Sequence, residues 1–196
     1  MANCIENTTD YSSYNNGTVD GNSPRGLVTN KNGASADFGQ YDWNYKEVNT
    51  HINTALDPLF KETGKKFDID WRLLAAWCFQ ESKFDPKAKN PTPGNTAAGI
   101  WQFVDDTWNA NAPDGCKENA PNYSNRFTPK YSMQAFEKFF KKNLDCFNNA
   151  ASRKDQIALA IQTHIGKPKG TSWANATFSK KKYLGEILNR YHEYCR

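Results

Sequence analysis

From Tyr41 onward the apolar residues of this chain recur three and four positions apart, and no two segments alternate apolar with polar residues as paired strands would. That regularity restricts the fold to helix packed on helix, an all-α class or nearly so. Val48, Ile52, Ala55, Leu56, Leu59 and Phe60 mark a first stripe between Tyr45 and Thr63, with Gly64 expected as its left-handed cap and Pro58 as a kink or a break. Asp70 is the next N-cap, followed by the stripe Leu73, Leu74, Trp77 and Cys78. Ile100–Ala110 reads as a short helix with Trp101, Val104 and Trp108 on one side. Thr128 and Pro129 start a helix whose face is Met133, Phe136, Phe140, Leu144 and Phe147. Ser152 and Asp155 open another that ends at Gly166, followed by a basic turn to Gly170, and the last begins near Ser179. Lys87–Thr96 and Pro113–Arg126 carry the turn residues of loops.

Residues 1–40 differ in kind. Asn, Gly, Ser and Thr fill 20 of these 40 positions, too polar a mixture to fold alone, so they form a flexible tail or an arm that orders against a partner. The domain is expected over 41–196, where most of the 12 Phe, 9 Tyr and 6 Trp supply an aromatic-rich core. A net charge of +4 suits contact with anionic polymers such as cell wall and is too small to argue for nucleic acid. No apolar run reaches the roughly 18 residues of a membrane span, and the start, with neither basic nor apolar region, predicts no secretory signal. Of five cysteines, Cys78 reads as a buried core residue, while a Cys116–Cys146 bridge, with Cys4–Cys195 beside it, is an open pairing for an oxidising compartment. Metal-ligand spacings are absent, so neither a metal nor another cofactor is expected.

Glu81 lies seven residues beyond Leu74 and four beyond Trp77, on the same helical face. It either caps the helix end and points into water or enters the apolar surroundings of that face. Carboxyls in such surroundings lose solvation, which disfavours their charged form, and an acid that must donate a proton near neutral pH needs that. Glu81-Ser82 is followed by Ala98-Gly99-Ile100-Trp101-Gln102-Phe103, then by Gln162-Thr163-His164-Ile165-Gly166, then by Tyr183-Leu184-Gly185-Glu186-Ile187-Leu188-Asn189-Arg190-Tyr191. In that order the segments resemble the soluble lytic transglycosylases and their goose-type lysozyme relatives over about residues 45–195. Gly99 and Gln102 match the family's Gly-Leu-Met-Gln segment. Thr163 and His164 stand where the family has the Tyr and Asn of Ala-Tyr-Asn-Ala-Gly.

The resemblance implies a lysozyme-like helical domain that cleaves the β-1,4 bond between N-acetylmuramic acid and N-acetylglucosamine in peptidoglycan. Glu81 would protonate the bridging oxygen, then take the proton of the muramoyl C6 hydroxyl to leave a 1,6-anhydro end. Ser82, Gly99, Gln102, Thr163 and His164 fall at positions that line the sugar site, and Tyr183 at one that hydrogen-bonds near the acid. Trp101 either stacks on a sugar or packs in the core, and His164 either donates in place of the asparagine or is a satisfied helix-end histidine. Hydrolysis needs a second carboxylate. Asp85 reads as a loop initiator, Asp105 and Asp106 as solvated, so a hydrolytic lysozyme ranks second. Lys83, Lys87, Lys89 and Lys180–Lys182 read mostly as solvated charge. A phage tail or baseplate lysin fits the polar arm, which would join virion or secretion-machine proteins. A non-catalytic plug or adaptor on the same scaffold is the competing class.

Overall fold

The computed structural model describes residues 28–29, 35–36, 55–150, 153–166 and 178–194. The first stripe before Ala55, the Ser152 cap, the basic turn after Gly166 and the rest of the N-terminal arm lie outside them. Within the arm, Val28–Thr29 (β1) and Ser35–Ala36 (β2) form a two-residue antiparallel ladder, Val28 opposite Ala36. The other elements among the described residues are α1 (Asp57–Phe67), α2 (Trp71–Ser82), α3 (Asp105–Asn111), α4 (Pro129–Cys146), α5 (Arg153–Gln162), a 3-10 turn (Thr163–Ile165) and α6 (Phe178–Tyr194), joined by turns and loops. The expected all-α class is the observed one.

α2 is the central element because its sequence is apolar all round. Every residue from Leu73 to Phe79 is buried, which a surface helix with one apolar stripe cannot achieve. Its neighbours are chiefly α1 on one side and α6 on the other. Asp70 starts it as expected, its carboxylate accepting the Arg72 N–H at 2.9 Å. At the other end Lys83 takes the left-handed conformation (φ 54°) and turns the chain away directly after Ser82. Trp77 then sets the aromatic core. Its ring meets those of Trp101, Phe136 and Phe140 edge-on at 5.6, 5.0 and 5.7 Å, and Trp101 stacks on Phe136 at 3.8 Å.

Several expectations are settled or changed. Of the two readings of Pro58, the break holds and the kink does not: Pro58 lies in the first turn of α1, where its missing N–H costs nothing. Gly64 is not the cap. Asp68 takes that role (φ 53°), and Gly64 sits inside α1 where the backbone of 69–71 crosses it. A Cβ at Gly64 would lie 2.8 Å from the Ile69 carbonyl oxygen and 3.0 Å from the Trp71 nitrogen. Alanine would gain about 1 kcal/mol in helix propensity. Forcing a methyl against the backbone of 69–71 costs about 1–3 kcal/mol, so Gly64→Ala is expected to lower the melting temperature by a few degrees. An unchanged or higher melting temperature would mean that the crossing segment can withdraw.

The short helix starts at Asp105 rather than Ile100. Ile100 and Trp101 are instead the middle of a turn closed by the Gln102 N–H on the Gly99 carbonyl (3.1 Å), and the Ala98 N–H bonds the Phe103 carbonyl (3.3 Å). Val104 therefore points outward while Trp101 and Trp108 are buried. Asp105 is not simply solvated either, since its carboxylate meets the buried guanidinium of Arg126 at 2.5 Å. Finally, Cys116 and Cys146 are free thiols. The Cys116 carbonyl is tied to Asn125, just upstream of α4, whereas Cys146 closes that 18-residue helix. A helix of that length runs about 27 Å, well beyond the Cα separation a disulfide spans. Cys4 and Cys195 lie outside the described residues.

Candidate active site

The last turn of α2 carries Glu81 to a point where α6 and the 3-10 turn meet. One carboxyl oxygen, Oε1, accepts a hydrogen bond from the Tyr183 hydroxyl on α6. The other, Oε2, lies 3.1 Å from His164 Nε2 on the 3-10 turn. Side chains far apart in sequence thus engage both oxygens, and 11% of the Glu81 side chain remains exposed. Glu81 neither points freely into water nor disappears into the core.

Trp77 organises this arrangement from one helical turn earlier. Its indole N–H donates to the Tyr183 oxygen at 2.7 Å, so the phenol is left to donate its own proton toward Glu81. Burial above all, and then the adjacent Glu81 charge, push the Tyr183 phenol well above its ordinary range. Tyr183 is therefore a neutral donor at any working pH. Tyr183→Phe leaves the buried Trp77 N–H without its acceptor and Oε1 without its donor. The expected result is about a tenfold fall in activity with a stability loss of about 1–3 kcal/mol, read from initial rates and melting curves. A variant with wild-type rates would remove Tyr183 from the machinery.

The walls are aromatic. The His164 ring lies parallel to that of Tyr183 (6.3 Å, 4°), edge-on to Trp77 and Phe139, and tilted against Phe103. Phe139 and Phe103 were not candidates on sequence grounds, and neither was the indole of Trp77 as a donor. Helical periodicity reports that such residues face inward but not whose proton their polar atoms meet.

The other candidates sit close by but face differently. Ser82 is buried, and its hydroxyl donates toward the carbonyls of Ile100 (3.0 Å) and Cys78 (3.3 Å), stitching the end of α2 to the 99–102 turn. Its hydroxyl is thus turned toward the backbone of this junction and not toward Glu81. Of the two readings of Trp101, the structure has the core one. It is buried against Phe136, so no face of its ring is left for a sugar. Gly99 has φ +77°, and a Cβ there would lie 2.4 Å from the Arg126 carbonyl oxygen, so glycine is required by conformation and by close approach. Gln102 is half-buried and donates its amide hydrogens to the carbonyls of Ala88 (3.2 Å) and Gly99 (2.9 Å). Both amide hydrogens are thus in use, and the side-chain oxygen is the end with capacity to spare. The Thr163 hydroxyl donates to the Ala160 carbonyl at 2.5 Å, within its own turn and not toward Glu81.

Other titratable groups nearby have their own duties. Burial pushes the Cys78 thiol up, far from any reactive thiolate. Burial likewise raises Glu186, one turn along α6 from Tyr183, and its carboxylate accepts from the Gln80 amide at 2.7 Å. Asp85 accepts the Lys87 N–H at 2.8 Å, the loop-initiating bond expected of it, and Asp106 is exposed.

Comparison with known proteins gives a consistent picture. Membrane-bound lytic murein transglycosylase F 1 of Alkalilimnicola ehrlichii is 30% identical over 112 residues, 55% of this chain and 20% of that protein. The corresponding protein of Saccharophagus degradans is 36% identical over 104 residues, 53% of this chain and 18% of the other. That of Salmonella typhimurium is 60% identical over 37 residues, 19% and 7% of the two chains. The chain thus spans about a fifth or less of these relatives' length. Among its described residues no helix is long and apolar enough to cross a membrane. The family model of the transglycosylase SLT domain matches residues 58–184, a span that runs from the start of α1 through Glu81 and the 99–102 turn to Tyr183. Glu81-Ser82, the 98–103 and 162–166 segments and the first two residues of the Tyr183 segment fall inside that match, as do the residues that gather around Glu81, and the chain belongs to the transglycosylase SLT family.

Proposed function

We propose that this chain cleaves the β-1,4 bond between N-acetylmuramic acid and N-acetylglucosamine in peptidoglycan, without consuming water. The observation that carries the reading is the Glu81 carboxyl, fixed at both oxygens by Tyr183 and His164 yet still reachable from solvent. In this mechanism Glu81 gives its proton to the bridging oxygen as the C1–O bond breaks, while the substrate's own N-acetyl group supports the developing charge. The resulting carboxylate takes the proton of the muramoyl C6 hydroxyl, whose oxygen closes on C1. Glu81 ends protonated, as it began, and the Tyr183 hydroxyl steadies its anionic interval. Gln102 offers its side-chain oxygen to an N–H or hydroxyl of the sugar.

Intramolecular closure is favoured over hydrolysis because three of the four candidate second carboxylates are otherwise engaged and the fourth, Asp106, is an exposed side chain on α3. Asp85 holds a turn, Asp105 pairs with Arg126, and Glu186 is bonded to Gln80. Product masses decide the matter. Digestion of purified peptidoglycan is expected to release fragments with anhydro ends, lighter by one water than reducing ends. Reducing ends alone would make the chain a hydrolase on the same scaffold, and intact glycan would favour the plug or adaptor. We place its use in a phage tail or baseplate, with a secretion machine as the other setting. That assignment is supported by the polar composition of residues 1–40 alone, and recovery of the chain in purified virions tests it.

A further inference from the structure

We propose that His164 is a positioning residue for Glu81 and not a sugar-binding replacement for the family's asparagine. The inference rests on the reading of Glu81 as the acid. Its Nε2 lies 3.1 Å from Glu81 Oε2, while the other oxygen is occupied by Tyr183. A carboxyl engaged at both ends loses rotation about its last bond, which fixes the direction in which a proton can leave. The imidazole suits this because Nε2, carrying its hydrogen, can donate to a lone pair of Oε2 whether the carboxyl is ionised or protonated, which leaves the acidic proton free for the sugar. The contact therefore survives both halves of the proton cycle. Little of the ring is left for a sugar. Its side chain is 7% exposed, with Tyr183 stacked beside it and Trp77, Phe139 and Phe103 around it.

Two substitutions separate the roles by length. Glutamine can place its terminal amide where Nε2 stands and can donate or accept there, whereas asparagine is one methylene shorter and does not reach Oε2. Asparagine is also the residue the family carries at this place. If His164 holds the acid, His164→Gln keeps kcat within about fivefold. His164→Asn loses about 100-fold, the scale of an ångström-sized misplacement, with KM changed less than about twofold. If His164 does the asparagine's work on the sugar, the order reverses.

Initial rates on soluble glycan-strand fragments over a range of concentrations, each variant assayed below its own melting midpoint, read the difference. Asn equal to or better than Gln overturns the proposal, and so does a loss that falls on KM instead of kcat. The same assay on Glu81→Gln distinguishes the two levels of the argument. Wild-type rates there overturn the acid and His164's role with it. A dead Glu81→Gln variant with the reversed Asn/Gln order overturns the role of His164 alone.

Discussion

Glu81→Gln is expected to abolish clearing of a peptidoglycan suspension, with initial rates down by about 10²–10⁴-fold, the usual scale for removing a positioned general acid. At 1.36 kcal/mol per tenfold this is about 3–5 kcal/mol of transition-state stabilisation. The substitution is informative because it alters little else. The amide keeps the carboxyl's shape, presents its oxygen to the Tyr183 hydroxyl and its N–H to His164, and so preserves both contacts of the native side chain. Melting curves of variant and wild type should therefore coincide within about 2 °C, a shift of about 0.5–1 kcal/mol at this chain length. Loss of rate with unchanged melting isolates the proton. Glu81→Asp should also fall steeply, by about 100-fold, because it keeps the acid but withdraws it from both partners. Clearing by Glu81→Gln within a few-fold of wild type would end the enzymatic reading.

What could be read from the sequence, and what could not, follows from the kind of information helical periodicity holds. Glu81 and Tyr183 were within reach because spacing fixes the face of a helix, and a resemblance spread over three ordered segments told which faces meet. Trp101 was not, since an aromatic residue in a turn looks the same whether it awaits a sugar or packs on Phe136, which lies 35 positions on. Gly64 was misplaced because glycine serves equally as a helix cap and as the point where backbones cross, and only the position of 69–71 separates the two uses. The 113–126 segment reads in sequence as an ordinary loop. Its turn residues carry no period, so nothing in it announces that two of its charged side chains, Glu118 and Arg126, are buried.

Those two residues underlie the second large effect. Arg126→Met is expected to destabilise the domain by about 3 kcal/mol, at the lower end of the range for breaking a buried ion pair, and to lower the melting temperature by roughly 10 °C. The Arg126 side chain has no exposed surface. Its guanidinium donates to the carbonyls of Thr96 (2.9 Å), Phe103 (2.9 Å) and Glu118 (3.2 Å) and to the Asp105 carboxylate (2.5 Å). Methionine fills much of the space but satisfies none of these acceptors. The cost stays near the lower bound because Glu118 keeps the backbone N–H groups of Asn125 and Arg126, and Asp105 is partly exposed and can be rehydrated. Lysine should not restore stability, since one ammonium cannot reach four acceptors laid out for a planar fork.

Acid should narrow the difference between the two proteins. Burial alone would push the Asp105 carboxyl up, but the hydrogen bonds from Arg126 and the Ala120 N–H, with the Arg126 charge, outweigh it and hold the carboxyl below its ordinary range. Stability gained this way is present above the unfolded carboxylate's value of about 4 and is lost as pH falls through the folded one. The melting gap between wild type and Arg126→Met should thus be widest near neutrality and shrink below about pH 4. The consequence reaches the site, because the Thr96 and Phe103 carbonyls flank the turn that carries Gly99 and Gln102. A destabilised Arg126→Met should therefore also lose activity at temperatures where it is still folded, while a melting temperature within about 2 °C of wild type would show that this buried charge network does not hold the turn in place.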